Sequence, residues 1–148
     1  MKHGFGTPTL REARQLLALV DLPTADLHDG LLKNFVAFYD DFQPVALGGA
    51  EVFDGVALLR SVATVPERRR QAFAASIIDA VEQRLCGAGV VDVYLLTETA
   101  SAYFANRGYR PVARDAAPPA IAASTQYTTL CPDSAMLMHK ALGAFDSL

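Results

Sequence analysis

Apolar positions recur along the chain with two different periods, and the switches between them predict its elements. Leu10, Ala13, Leu17 and Val20 fall on one face of a helix. Thr9 and Glu12 ahead of them have the spacing of a capping box, in which each side chain accepts from the other residue's backbone N–H. Leu22-Pro23 stops this helix, and Thr24 is placed to cap a short second one. The pattern then predicts strands over Asn34 to Tyr39, Pro44 to Val52 and Val56 to Val65. The turn sequences Asp40-Asp41-Phe42-Gln43 and Asp54-Gly55 separate them into an antiparallel meander. Pro66 ends the third strand. Helical spacing resumes from about Arg69 to Cys86, with Phe73, Ile77, Ile78, Val81 and Leu85 on one face and Gly87 and Gly89 closing it. Val90 to Leu96 is a continuous apolar run, the pattern of a strand covered on both faces. Thr99 can cap a further helix that Arg107-Gly108 ends. Ala116 to Ala123 reads as a surface loop, and Tyr109 to Ala113 and Ala135 to Lys140 as the last strands. A helix between the Val56 and Val90 strands makes those two a parallel pair.

The length of 148 residues fits one domain, 1–148, and 51% hydrophobic with 20% charged residues is a globular balance. The net charge of −3 argues against nucleic acid as a partner. No stretch is apolar for long enough to span a bilayer, and Met1 to Gly6 lacks the apolar run of a signal peptide. The expected location is therefore cytoplasmic. Cys86 and Cys131 lie far apart with no metal-ligand spacing around them, so no metal is expected and both thiols read as small core or pocket residues. His3, His28 and His139 have no ligand-type neighbours in sequence. No GxGxxG follows a strand and the first elements are not a βαβ unit, which argues against a nucleotide-dependent oxidoreductase.

The segment Val65-Pro66-Glu67-Arg68-Arg69-Arg70-Gln71-Ala72-Phe73-Ala74 carries most of the chemical information. Three arginines at a helix start oppose the helix dipole. They become favourable when a polyanion sits on the free N–H groups of the first turn. On charge alone, a solvated basic turn and a phosphate site are equal readings.

The same segment resembles the acetyl-CoA-binding motif of GNAT N-acetyltransferases, written Arg/Gln-x-x-Gly-x-Gly/Ala. Arg69 stands at the first position, Ala72 at the first glycine and Ala74 at the second. Four further segments resemble the branch of that superfamily named for arsenic resistance: Leu22-Pro23-Thr24-Ala25-Asp26-Leu27, Leu58-Leu59-Arg60-Ser61, Leu95-Leu96-Thr97-Glu98-Thr99-Ala100 and Leu130-Cys131-Pro132-Asp133-Ser134-Ala135. The resemblance implies an α/β (α+β) fold: a mixed, mostly antiparallel central sheet with a splayed parallel pair of strands and helices on both faces. It implies acetyl-CoA as co-substrate, with the pyrophosphate held by Arg69, Arg70, Gln71, Ala72, Phe73, Ala74 and Ala75. The pantetheine arm would run along Val62, Ala63 and Thr64. Ala72 departs from the motif. A helical alanine costs no strain, but its methyl group would crowd the pyrophosphate.

Many relatives carry an asparagine after the fifth strand and, seven residues on, a tyrosine that protonates the leaving thiolate. Those positions fall here on Thr97 and Phe104. Phe104 cannot donate a proton and is expected to pack against the pantetheine arm. Tyr103 points about 100° away on a helix and serves as the acid only if the register shifts. Thr99 is a cofactor contact or simply a helix cap.

On the acceptor side, Glu51 is the candidate general base, a carboxylate in an otherwise apolar strand. Arg60 is a charge inside another apolar strand. Either it pairs with Glu51, or it recognises a substrate carboxylate. Cys131 is a candidate lining residue of the acceptor pocket. The sequence thus supports an N-acetyltransferase transferring directly to a small-molecule amine, amino-acid-like acceptors included. The alternative is a degenerate, non-catalytic acyl-CoA-binding or regulatory module. A homodimer is compatible with both.

Overall fold

The computed structural model describes residues 4–69, 72–130 and 134–142. In chain order the elements are strand β1 (Gly4–Gly6), helix α1 (Leu10–Leu19), strands β2 (Phe35–Asp40), β3 (Gln43–Phe53) and β4 (Val56–Thr64), and helix α2 (Phe73–Gly87). Then come strand β5 (Asp92–Thr97), helix α3 (Ser101–Asn106), strand β6 (Arg110–Val112), helix α4 (Pro119–Ala122) and strand β7 (Met136–Ala141). The strand order is β1-β2-β3-β4-β5-β7-β6. β4 and β5 are parallel, while β1/β2, β2/β3, β5/β7 and β6/β7 are antiparallel. This is the mixed, mostly antiparallel sheet with one parallel pair that the resemblance implied. The chain forms two compact units, Met1–Glu51 with Arg60–Leu85, and Val52–Leu59 with Cys86–Leu148, so that β4 contributes one half to each.

In the first unit the capping box forms as expected. The Glu12 N–H donates to Thr9 Oγ1 at 3.1 Å, and the Thr9 N–H donates to Glu12 Oε1 at 3.0 Å. The Tyr39 hydroxyl donates to the same Oε1 at 2.6 Å, tying the start of α1 to β2. Burial, and then Glu12, push the Tyr39 phenol above the usual tyrosine range. Ala13, Leu16 and Leu17 of α1 join Leu31, Phe35 and Leu47 in one apolar cluster. The helix expected at Thr24 does not form. The stretch between Pro23 and Gly30 is too short to repay helix nucleation. A turn closed by the Leu27 N–H on the Thr24 carbonyl (3.1 Å) and a 3-10 turn at Leu31–Asn34 take its place.

β2 and β3 close on a two-residue turn, with Asp40 opposite Gln43 and positive φ at Asp41 (54°) and Phe42 (69°). This is the geometry whose twist matches a hairpin, although Phe42 is a poor residue for it. The other end of the pair needs bare backbone. A Cβ on Gly49 would stand 2.1 Å from Phe35 Cδ1, on its direct cross-strand partner. A Cβ on Gly48 would stand 2.7 Å from Ile77 Cγ2, which is how closely α2 sits on β3. Gly49→Ala is accordingly expected to destabilise the protein by about 1–3 kcal/mol through overpacking, read as a lowered melting temperature. A melting temperature equal to that of the unchanged protein would show that Phe35 moves aside freely.

α2 buries Ile77, Ile78, Val81 and Leu85, as the spacing predicted. The Arg84 guanidinium donates to the Lys33 and Phe35 carbonyls at 2.9 and 3.0 Å, fixing the helix's second half. The helix starts at Phe73, however, not Arg69. Pro66–Arg68 form a 3-10 turn, and Ala72 stands in the left-handed region at φ 61°. Ala72 is therefore not helical, and its Cβ is strained there. Ala72→Gly is expected to stabilise the protein by about 0.5–1 kcal/mol, the reverse of a glycine placed inside a helix. A fall in melting temperature would contradict that backbone geometry.

In the second unit the β4–β5 ladder runs from Val56–Asp92 to Leu59–Leu95, while β4 continues to Thr64 and β5 to Thr97. β5 alternates rather than being buried throughout: Val93 and Leu95 are buried, Tyr94 and Leu96 half-buried. Tyr94 lies against His139 of β7, whose Nε2 is 2.7 Å from Asp92 Oδ1. Burial, and then Asp92, raise the Tyr94 phenol. Thr99 does not cap α3. Ala100 is the cap residue, and Thr97 Oγ1 accepts its N–H at 3.0 Å. Gly108, at φ 97°, ends the helix as expected. Ala116 to Ala123 is not simply a loop. Pro119 opens α4, and Ile121 is wholly buried, which anchors it.

Candidate active site

β4 places a charge where an apolar strand has no packing reason for one. Arg60 is 4% exposed. Its Nη1 and Nη2 donate to Asp26 Oδ2 and Oδ1, the second at 2.7 Å, and its Nε donates to Ser61 Oγ at 3.0 Å. All three nitrogens are thus engaged, two of them in the fork geometry that matches a carboxylate. Of the two partners the sequence left open for Arg60, Glu51 does not fill this fork. The partner is Asp26, from the turn after α1. Ser61 holds φ 63° inside the strand, an irregularity that follows the last β4–β5 pair.

Glu51 lies near the end of β3, next to the wholly buried Ala50. Its Oε1 is shielded from solvent and has no hydrogen-bond partner. Burial raises the carboxyl above its ordinary value of 4.5. Arg60 pulls it back down, Asp26 pushes it up, and His28 again pulls it down. His28 is exposed, and its Nδ1 accepts the Leu31 N–H at 3.3 Å. Glu51 is half-buried, and a carboxyl with one shielded, unpartnered oxygen and a raised value is equipped to accept a proton.

Beyond Ser61 the strand borders a hollow of about 220 Å³, lined by Val62, Ala63, Thr64, Arg69, Val20 and Leu22. Four of these are residues the sequence assigned to the cofactor. A larger groove of about 780 Å³ meets the same turn from its other side, along Val65 to Arg68, with α1 and the Phe42 turn opposite. Of the arginines here, Arg68 is bound to Asp40 Oδ2 at 2.5 Å, and Arg69 is exposed. Arg70 and Gln71 lie outside the described residues, as do Cys131 and His3. Phe73, Ala74 and Ala75 form the first turn of α2, where N–H groups have no acceptor within the helix. The Ser76 N–H reaches back to the Ala72 carbonyl at 3.4 Å.

In the second unit, Phe104 packs edge-on against Tyr103 and Tyr109, with ring centroids 5.4 and 5.8 Å away. Tyr109 is buried and Tyr103 is 39% exposed. Thr97 is occupied by the Ala100 N–H, and Thr99 is exposed. Cys86 is a half-buried free thiol. Among the described residues, no three His, Cys, Asp or Glu side chains gather as a metal-holding group.

Asp26 is the site residue that sequence reasoning left without a role. It lies 34 positions from Arg60, beyond any local spacing rule. Its place in the Leu22–Leu27 segment was the available signal.

No protein-family model and no curated protein matches the chain. Solved structures do. N-acetylglutamate synthase from Neisseria gonorrhoeae, complexed with coenzyme A and N-acetyl-glutamate, matches with TM-score 0.81 and 12% identity over 95% of this chain and 35% of its own. This chain therefore spans about a third of that protein. The ribosomal-protein-S18-alanine N-acetyltransferase from Escherichia coli matches at TM-score 0.72 and 16% identity, over 99% of this chain and 98% of that one. The PaiA N-acetyltransferase from Thermoplasma acidophilum, in complex with coenzyme A, matches at 0.66 and 8%, over 95% and 99%. At these identities the likeness is one of fold, and the fold is that of GNAT acetyltransferases.

Proposed function

We propose that residues 1–148 act as a single acyl-coenzyme A-dependent N-acetyltransferase domain, with a small-molecule amine as acceptor. The observation that carries this reading is the half-buried Glu51 carboxylate, shielded and unpartnered at Oε1 and raised by its burial. Acetyl-CoA, as co-substrate, supplies the acetyl group as a thioester. Arg69 and the first-turn N–H groups of α2 would hold its pyrophosphate, and the backbone of Val62, Ala63 and Thr64 would hold the pantetheine arm. Glu51 takes a proton from the acceptor amine. The nitrogen lone pair then forms the bond to the acetyl carbon, and the C–S bond breaks with its electron pair leaving on sulfur. The second nitrogen proton, acidified once the C–N bond has formed, passes to the thiolate through water or through Tyr103, which leaves the neutral amide and the free thiol. Thr97, Thr99, Tyr103 and Phe104 enter the proposal from sequence alone. Because Asp26 fills the Arg60 fork, Arg60 is not the anchor for a substrate carboxylate, and acceptors without one are included.

Among the described residues no helix is long and apolar enough to cross a membrane, and a cytoplasmic location is part of this proposal. Within the superfamily we place the chain near the arsenic-resistance branch on its four sequence segments. That name does not identify the acceptor. The second reading, a non-catalytic acyl-CoA-binding module, draws on Ala72 and Phe104. A module without turnover has no reason to keep a carboxyl with a shielded, unpartnered oxygen.

Calorimetry with coenzyme A, together with thiol release from acetyl-CoA across a panel of amines, separates these readings. Binding that weakens in Arg69→Ala, with thiol release on at least one amine, is the expected result. Binding without release on any amine selects the module. No binding at all overturns both.

A further inference from the structure

Glu51 is half-buried, and its shielded Oε1 has no hydrogen-bond partner although the Arg60 guanidinium acts on it; the structure shows what holds that guanidinium instead. Both end nitrogens of Arg60 are taken by the two oxygens of Asp26, and its Nε by Ser61. The Arg60 and Asp26 side chains are 1% and 14% exposed, so water does not compete for this pair. Were Asp26 not there, the buried cation would need another anion. Glu51 is a carboxylate on which that cation already acts, and the charged or titratable groups acting on Glu51 are Arg60, Asp26 and His28. We propose that Asp26 is a positioning residue: by occupying the Arg60 fork it keeps that cation off Glu51 and leaves the Glu51 carboxylate free to take a proton from the acceptor amine. This rests on the acetyltransferase reading for its catalytic meaning, but not for the charge arrangement itself.

The arrangement makes Arg60 a cation with a decoy. It contributes a fixed positive charge near the base without forming the hydrogen bonds that would disable it. A carboxylate held in a bidentate ion pair has a lone pair of each oxygen committed to the cation and is less basic, and a neighbour that prevents this acts on catalysis without touching substrate.

The test is a double-mutant cycle on the Glu51 titration, followed by carbon-13 NMR of the side-chain carboxyl and assigned with Glu51→Gln. Asp26→Asn in the Arg60 protein is expected to lower the Glu51 midpoint. Made together with Arg60→Met, the same change is expected to do little, because there is no cation left to release. If Asp26 acted only through its own charge, both backgrounds would show the same fall, and the proposal would be wrong. An unchanged or raised midpoint in folded Asp26→Asn would also overturn it. Arg60→Met alone should raise the midpoint, and a midpoint that stays where it was would show that this cation does not act on Glu51 and would overturn the proposal even if Asp26→Asn does not fold. In kinetics, Asp26→Asn should move the acidic limb of kcat/KM to lower pH and reduce neutral-pH kcat/KM by roughly 10²-fold, the low end of what a general base contributes. KM for acetyl-CoA should stay as it was. A falling Glu51 midpoint in a protein that releases no thiol with any amine would uphold the charge arrangement and reject the acetyltransferase reading instead.

Discussion

Glu51→Gln is expected to reduce kcat/KM by about 10²–10⁴-fold, the range that a positioned general base contributes, and to leave coenzyme A binding intact. Glutamine keeps the volume of the side chain and loses only the proton acceptor. The pH dependence gives a second reading of the same group. Burial raises the Glu51 carboxyl above 4.5, so kcat/KM should fall on acidification at a pH above that ordinary value. Stability carries the opposite sign. A carboxyl whose folded value is raised contributes stability that is fully present below the unfolded value and is lost as pH rises through the folded one. The unchanged protein should lose stability over that interval, and Glu51→Gln should not. The variant is therefore expected to melt no lower than its parent at neutral pH. Full thiol release by folded Glu51→Gln would remove Glu51 from the mechanism.

Arg60→Ala is expected to have the largest effect on stability, about 3–5 kcal/mol, because it strands the Asp26 carboxylate in a site with little water. For a chain of 148 residues that corresponds to a melting temperature lower by roughly 6–20 °C. Asp26→Asn should cost less, since Glu51 can inherit the released guanidinium. Replacing both partners by apolar residues, Asp26→Leu with Arg60→Met, should recover most of the loss, as removal of a whole buried pair commonly does. Thermal melts of the three proteins, followed by circular dichroism, decide this. A drop of under about 2 °C in Arg60→Ala would show that the pair contributes little to folding.

What the sequence made legible was mostly local. Thr9 and Glu12 are three residues apart, and their capping box is present. The buried face of α2 followed from helical spacing, and the parallel β4–β5 pair from a strand–helix–strand order. Long-range partners were not legible. Asp26 and Arg60 meet across 34 positions, and Tyr39 reaches Glu12 across 27. Backbone signs were missed as well. Alanine is a strong helix former, so the residue type did not mark Ala72 as left-handed, although its standing at a glycine position of the motif was the available signal, and the helix start was placed too early. β1 is three residues long, with glycine at both ends, too short to carry a period. Thr99 had the right residue type for a cap, but the position was taken by Ala100 with help from Thr97.

Ser61 and Ala72 stand at either end of the chain that supplies Val62, Ala63, Thr64 and Arg69 to the smaller hollow, and both hold left-handed backbone without being glycine. A residue with a Cβ loses roughly 1–2 kcal/mol in that conformation, and the loss is met once, when the chain folds. A ligand arriving there finds the backbone already shaped and does not spend its own interaction energy bending it. Preorganisation of this kind converts folding stability into affinity. Little conformational entropy is left to lose on association, and arrival need not wait for a rearrangement. Glycine at either position would relieve that loss, and the protein is expected to become more stable.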